Sequence, residues 1–292
     1  MRAFVIGNVA LDETVAVDDL PMHGASIHGQ AGAGDLGGKG ANQAVVLGRA
    51  GLACCLCAAV GDDSRAADIR ARLMAEPIET DLVTIADVAS DLSIILRARS
   101  GENAIITTTD AASRLSPDAA GAVLQRAGPG DLLVMQGNLS AQTTIAALRQ
   151  ARDRGMQTAL NPSPLRSYLS TLWPLVDTVF VNESEAAALG GTGTLLAAGV
   201  TQIVLTLGAA GARLVTADED LMIAAQPCAV VDTTGAGDCF MATALASAAL
   251  RGVRLDLRAL HHAAAAAAIT VSRPGTGAAF PTRAELAMIL KG

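Results

Sequence analysis

Short apolar runs alternate along this chain with segments of helical spacing. The runs at residues 4–7, 53–59, 132–136, 158–161, 178–181 and 203–207 are four to seven residues long and built mainly from Val, Ile, Leu, Phe, Ala and Cys. That length and texture predicts strands buried on both faces. Segments 40–50, 64–75, 117–125 and 141–154 lie between or beside them with apolar residues at helical spacing, and 236–250, 257–270 and 282–290 extend the helical pattern toward the C-terminal end. Strand–helix alternation of this kind predicts an α/β fold: a mainly parallel sheet with helices on both faces, hence three layers. In such sheets ligands bind beyond the carboxyl ends of the strands.

Two regions break the rhythm. Residues 13–17 with 26–36, and 92–99 with 103–108, carry period-two patterns and predict antiparallel hairpins. At 292 residues and 51% hydrophobic content the chain accommodates one large domain, 1–292, with a small excursion. Aromatics are only 2% and the net charge is −7, so the chain has little to stack on bases and no basic patch for phosphate backbones; nucleic acid is not an expected partner. The apolar start at residues 3–7 is too short for a secretory signal, and the longest apolar run, 263–271, falls well short of the roughly 20 residues a span needs. A cytoplasmic protein without a membrane partner is expected. Cys54, Cys55 and Cys57 sit in a strand-like run with no histidine nearby, and Cys228 and Cys239 are isolated; all five are expected to be reduced core thiols.

Two glycine clusters carry the candidate chemistry. Val230 and Val231 precede Asp232-Thr233-Thr234-Gly235-Ala236-Gly237-Asp238, which runs into a nearly unbroken stretch of good helix formers. A glycine turn opening a helix leaves backbone N–H groups free to receive an anion. Asp238 in the first turn either complements the helix dipole or acts as a base beside that anion. The second cluster is Gly37-Gly38-Lys39-Gly40-Ala41-Asn42. It is not a P-loop, because Ala33 and Gly40 occupy the positions that need Gly and Ser or Thr. Gly32, Gly34 and Gly37 match a dinucleotide fingerprint in spacing only: no strand leads directly into them, and Cys57 stands near where the acid should be.

Together these segments resemble the ribokinase-like (PfkB) family of carbohydrate kinases, with the ribokinase branch the nearest likeness. The resemblance extends over Val5-Ile6-Gly7 leading to Asp12, Leu160-Asn161-Pro162, Asn182-Glu183-Ser184-Glu185, and Leu205-Thr206-Leu207-Gly208 with Gly211. It implies a three-layer αβα sandwich with a small β-sheet lid, residues about 12–36 and 92–108, over the sugar, and a homodimer formed through that lid. It implies ATP-dependent phosphorylation of a small sugar's hydroxyl, ribose to ribose 5-phosphate, with fructose or a nucleoside as the alternative acceptor and a non-catalytic sensor as the remote one. A sugar phosphate would call for more basic residues than Arg97 and Arg99, and a nucleoside for aromatic surface that the chain lacks.

By resemblance, Asp238 is the base and the N–H groups of Gly235, Ala236 and Gly237 stabilise developing charge; Asp12, Gly38, Lys39, Asn42 and Asn138 surround the sugar together with Asp238. Thr206, Gly208, Gly211 and Gly237 take ATP. Asn182 and Glu185 hold magnesium and phosphate, although their spacing equally suits a helix capping box. Asp232, Thr234, Thr270, Arg273, Gly275 and Ala279 surround a monovalent cation, potassium. The chain departs from the ribokinase pattern at Ala10 and Asn138, where Asn and Glu would face the sugar, and at the adenine edge, where His262 or Ala264 falls.

Overall fold

The computed structural model describes residues 1–100 and 103–292. Its strands are β1 Ala3–Ile6, β2 Ala10–Val17, β3 Gln30–Gly37, β4 Cys54–Val60, β5 Glu79–Thr84, β6 Leu92–Ala98, β7 Asn103–Thr107, β8 Leu132–Gln136, β9 Gln157–Asn161, β10 Thr178–Asn182, β11 Gln202–Thr206, β12 Ala212–Val215 and β13 Asp220–Ile223. Its α-helices are α1 Lys39–Arg49, α2 Ser64–Met74, α3 Pro117–Leu124, α4 Ala141–Asp153, α5 Glu183–Ala188, α6 Thr192–Ala197, α7 Ala236–Arg251, α8 Leu257–Val271 and α9 Arg283–Ile289.

The main sheet runs β13-β12-β11-β10-β9-β8-β1-β4-β5. It is parallel from β11 to β5, with β12 and β13 added antiparallel at one edge. Alternation along the strands splits the core in two. Ala3 and Val5 on β1, with Cys54 and Leu56 on β4, face a cluster shared with α1, α7 and α8, whereas Phe4, Ile6, Cys55 and Cys57 face one shared with α3 and α4. This is why the strands read as continuous apolar runs. Helix α7 is buried from Asp238 to Ala248, and its alanines let it pack closely against α8.

The predicted three-layer fold is present, with differences at its margins. The sheet edges β5, β12 and β13 were not anticipated. β5 has no buried residue, and β12 and β13 have four residues each, so neither supplies a long apolar run. The small sheet has order β3-β2-β6-β7 and contains both hairpins, joined by a parallel β2–β6 pairing. Residues 26–29 lie outside strand β3, whose pairing with β2 reaches only to Ala16 and Gln30. Residues 101 and 102, between the strands of the second hairpin, lie outside the described residues. The expectation of five core thiols is corrected at Cys228, which is exposed in the connection after β13; the other four are buried, and burial pushes the Cys57 thiol up to about 12 and the Cys239 thiol to about 11. Among the described residues no helix is long and apolar enough to cross a membrane.

Candidate active site

The carboxyl ends of β8, β9, β10 and β11 bring Gln136, Asn161, Asn182 and Thr206 to one rim of the sheet, and the N-termini of α1 and α7 meet above it. Gly235 caps α7 in the left-handed conformation, φ 74°. A Cβ there would lie 2.8 Å from Phe280 Cε1, so both backbone and space require glycine. The turn is closed by Ala236 N–H donating to the Thr233 carbonyl at 3.3 Å. Of the three expected anion donors, Ala236 therefore already has a partner, while Gly237 belongs to the helix's first turn, where N–H groups lack intrahelical acceptors.

Asp238 is buried and heavily supported. Asn42 Nδ2 donates to one carboxylate oxygen at 3.0 Å, and Gln43 Nε2 to the other at 2.9 Å. Lys39 Nζ stands 3.9 Å from the oxygen that Gln43 contacts. The two glycine clusters, 196 residues apart at Asn42 and Asp238, thus converge on one carboxylate. Gln43 had no signal in the sequence beyond lying next to Asn42. Gln136 Nε2 in turn donates to Gln43 Oε1 at 2.7 Å.

A second buried carboxylate faces the same region. Asp12, on β2, accepts from Thr276 Oγ1 at 2.8 Å, and its carboxyl is pushed up to about 6, chiefly by burial; Thr276 and Ser93 oppose the shift and Asp35 and Asp238 add to it. Asp35, on β3, accepts from the backbone N–H groups of Thr276 and Ala278, both at 3.0 Å. Neither Thr276 nor Asp35 was singled out from sequence. Gly38 caps α1, and Asn42 N–H donates to its carbonyl at 2.9 Å. Ala10 is buried, and Asn138 Nδ2 donates to Asn8 Oδ1 at 3.0 Å, with Gly40 N–H on the same oxygen at 3.3 Å.

A cleft of about 420 Å³ runs from Lys39, Gly237 and Asp238 past Asn161 to Asn182, Glu185 and Thr206. Asn182 and Glu185 form a full capping box at the start of α5: Glu185 N–H donates to Asn182 Oδ1 at 2.8 Å and Asn182 N–H to Glu185 Oε2 at 3.0 Å. The capping role is therefore present, and both residues also line the cleft. Thr206 Oγ1 donates to the Val181 carbonyl at 3.3 Å. Gly208 and Gly211 bracket the turn into β12, where Gly211 N–H donates to the Gly208 carbonyl and a Cβ on Gly211 would overlap the Ile223 carbonyl.

The segments expected around a monovalent cation are tied together. Val231 and Asp232 N–H groups donate to the Val271 carbonyl at 2.7 and 3.2 Å, and Gly275 N–H donates to Asp232 Oδ2 at 3.2 Å. Thr234 N–H takes the other oxygen of Asp232 at 3.0 Å. The Thr270 carbonyl accepts from Arg273 N–H, and Ala279 N–H donates to the Thr276 carbonyl. Arg97, from β6, also reaches Asp232 Oδ2 at 3.2 Å, and Arg99 pairs with Asp18. Both basic residues of the small sheet are thus already engaged.

His262 is not brought to the cleft. Its Nδ1 lies 2.8 Å from Ser247 Oγ in the buried α7–α8 contact, ~13 Å along α7 from Asp238 by helical rise, and burial together with Arg258 and Arg251 lowers its pKa. Ala264, the other residue expected at the adenine edge, is also buried.

Residues 2–283 match the model of the pfkB family carbohydrate kinases. The ribokinase of Bacillus subtilis (strain 168) is 30% identical, with 98% of each chain covered. The structure of ribokinase from Giardia lamblia superposes with a TM-score of 0.89 at 26% identity, covering 99% of this chain and 98% of that one. That of Cryptococcus neoformans var. grubii serotype A ribokinase in complex with ADP does so with a TM-score of 0.83 at 26% identity, covering 98% and 99%. The chain belongs to the pfkB family of carbohydrate kinases.

Proposed function

We propose that this kinase transfers the terminal phosphoryl group of ATP to ribose, giving ribose 5-phosphate and ADP, with Asp238 as the base. The observation that carries the reading is the convergence of α1 and α7 on the Asp238 carboxylate at the mouth of the cleft. The full-length likeness to a ribokinase supports ribose as the acceptor. Arg97 and Arg99, held by Asp232 and Asp18, speak against a sugar phosphate.

In this reading the sugar lies between Asp12, Gly38, Lys39, Asn42 and Asn138 on one side and Asp238 on the other. Asp238 takes the proton of the attacking hydroxyl; the hydroxyl oxygen bonds to phosphorus as the bridging oxygen departs with ADP. The N–H groups of Gly235 and Gly237, with Lys39, face the charge that develops on the transferring group. Thr206, Gly208 and Gly211 form the wall along which the nucleotide lies.

Among the described residues, no cluster of three or more His, Cys, Asp or Glu side chains could hold a metal ion. Magnesium would be met by Asn182 and Glu185 through water, which suits an ion that keeps much of its hydration shell. When bound it would supply positive charge to offset that of the phosphate oxygens. The mainly carbonyl set of Thr234, Thr270, Arg273, Gly275 and Ala279, with Asp232, suits potassium, and hydrogen bonds from Val231 and Asp232 to the Val271 carbonyl and from Gly275 to Asp232 tie the two segments together.

The small sheet serves as a lid and as the surface of a homodimer. Its β6–β7 pair leaves Ile94 and Ile106, directly opposite each other, exposed. A bare apolar face of this kind is covered when a second copy packs on it. Light scattering should give about twice 29.4 kDa, and Ile106→Lys should halve that mass; a wild-type monomer refutes the dimer. Coupled ADP release over a panel of pentoses, hexoses and nucleosides tests the acceptor. Ribose should give the highest kcat/KM and potassium should raise it; a hexose or nucleoside preferred over ribose overturns the assignment.

A further inference from the structure

We propose that Gln43 and Gln136 are positioning residues: a buried relay of side-chain amides, Gln136 to Gln43 to Asp238, that fixes the orientation of the base's carboxylate and keeps it ready to accept a proton. The proposal rests on the reading of Asp238 above. An ionised carboxylate can only accept, so Gln43 must turn its NH₂ toward Asp238, at 2.9 Å, and its carbonyl oxygen away. That oxygen then requires a donor, which Gln136 Nε2 supplies at 2.7 Å. The chain therefore has one polarity, set by the charge at its end.

This polarity leaves a mark. Among the described residues, three buried side-chain polar atoms lack a partner: Asn42 Oδ1, Gln136 Oε1 and His262 Nε2. Two of the three belong to amides whose NH₂ groups point along this cluster. Buried acceptors are rarely left unpaired, because desolvating them is unfavourable. Here each amide gives up its own acceptor's partner in order to donate toward Asp238. Gly7, at the end of β1, completes the arrangement, since a Cβ there would overlap Gln136 Oε1.

Gln43 holds one oxygen of the Asp238 carboxylate and Asn42 the other, so the carboxylate plane is fixed. The other charged groups facing the carboxylate are Lys39, 3.9 Å away, and Asp12; Cys239, the neighbouring thiol, is buried and neutral. Gln43→Met and Gln136→Met keep side-chain length while removing the donors. Each should slow kcat, Gln43→Met by about 10²-fold through a misplaced base. Each should leave the KM for ATP unchanged, so that the loss falls on kcat alone. The double variant should be no slower than Gln43→Met alone, because the two act as one chain.

A purely structural role predicts a lower melting temperature with kcat per folded molecule unchanged, and that result, or additive losses in the double variant, overturns the proposal. Should Gln43→Met fail to fold, Gln136→Met carries the same test one bond further from the base. Asp238→Asn is run alongside. If it retains turnover, the base assignment itself fails; if it is inactive while the glutamine variants keep the wild-type kcat, only the relay fails.

Discussion

Asp238→Asn removes phosphoryl transfer while nucleotide binding survives. The substitution preserves shape but replaces a proton acceptor with an amide, and loss of a general base costs about 10²- to 10⁴-fold in rate. The surroundings sharpen the effect. Asn42 and Gln43 each aim an NH₂ at one oxygen of Asp238, so an asparagine amide must place its own NH₂ against one of these donors and loses a hydrogen bond. ATP affinity should hold or improve, since Asp238 lines the cleft and its negative charge repels the phosphates. Coupled ADP release and calorimetric titration of ATP measure the two quantities separately.

Asp12→Asn should weaken sugar binding and stabilise the fold at once. The Asp12 carboxyl titrates at about 6 in the folded protein against 3.8 for the ordinary side chain, mainly because it is buried. The folded state then holds this proton more tightly than the unfolded chain does. Asp12's contribution to stability is therefore greatest below pH 3.8 and is lost as the pH rises through 6, and the ionised carboxylate is a net cost to the fold at pH 7.5. An uncharged asparagine removes that cost, so the melting temperature at pH 7.5 should rise. Asp91 has a similar shift, to about 6, from its own burial, but it is present in both proteins and cancels in the comparison.

The sugar sees the opposite consequence. An ionised Asp12 offers two accepting oxygens to hydroxyls, and losing a charged hydrogen-bond partner raises the sugar KM by about 10- to 100-fold. In the wild type that KM should also rise as pH falls below 6, whereas in Asp12→Asn it should stay flat. A lower melting temperature together with an unchanged sugar KM would contradict this role. The combination of lost binding and gained stability is typical of a residue kept for function.

Much of this was legible in the sequence, for identifiable reasons. Strands β1, β4 and β8 to β11 are buried on both faces and so announce themselves as apolar runs. β5, at one edge, and β12 and β13, at the other, carry Glu79, Asp81, Arg213 and Asp220 among their apolar residues and give no such signal. The glycine clusters were readable because a helix opening behind a turn needs glycine at specific places, as Phe280 pressing on Gly235 illustrates. Asn42, Lys39 and Asp238 could be named from their motifs.

Gln43, Gln136, Thr276 and Asp35 could not. Their partners lie far away in the chain: Gln136 is 93 residues from Gln43, and Thr276 is 264 from Asp12 and 241 from Asp35. Only the folded sheet brings such pairs together, and neither a glutamine on an apolar helix nor a threonine in a turn carries local periodicity. His262 shows the converse. Its place in the sequence suggests the adenine edge, and only the folded α7–α8 contact shows that its Nδ1 meets Ser247.

The central claim is spatial, and a crystal structure of the protein with ribose and a non-hydrolysable ATP analogue tests it most directly. The acceptor hydroxyl should lie about 2.6–3.2 Å from an oxygen of Asp238, with the terminal phosphate resting on the N–H groups of Gly235 and Gly237. A nucleotide bound away from that turn, or a sugar whose hydroxyls all lie out of reach of Asp238, would contradict it.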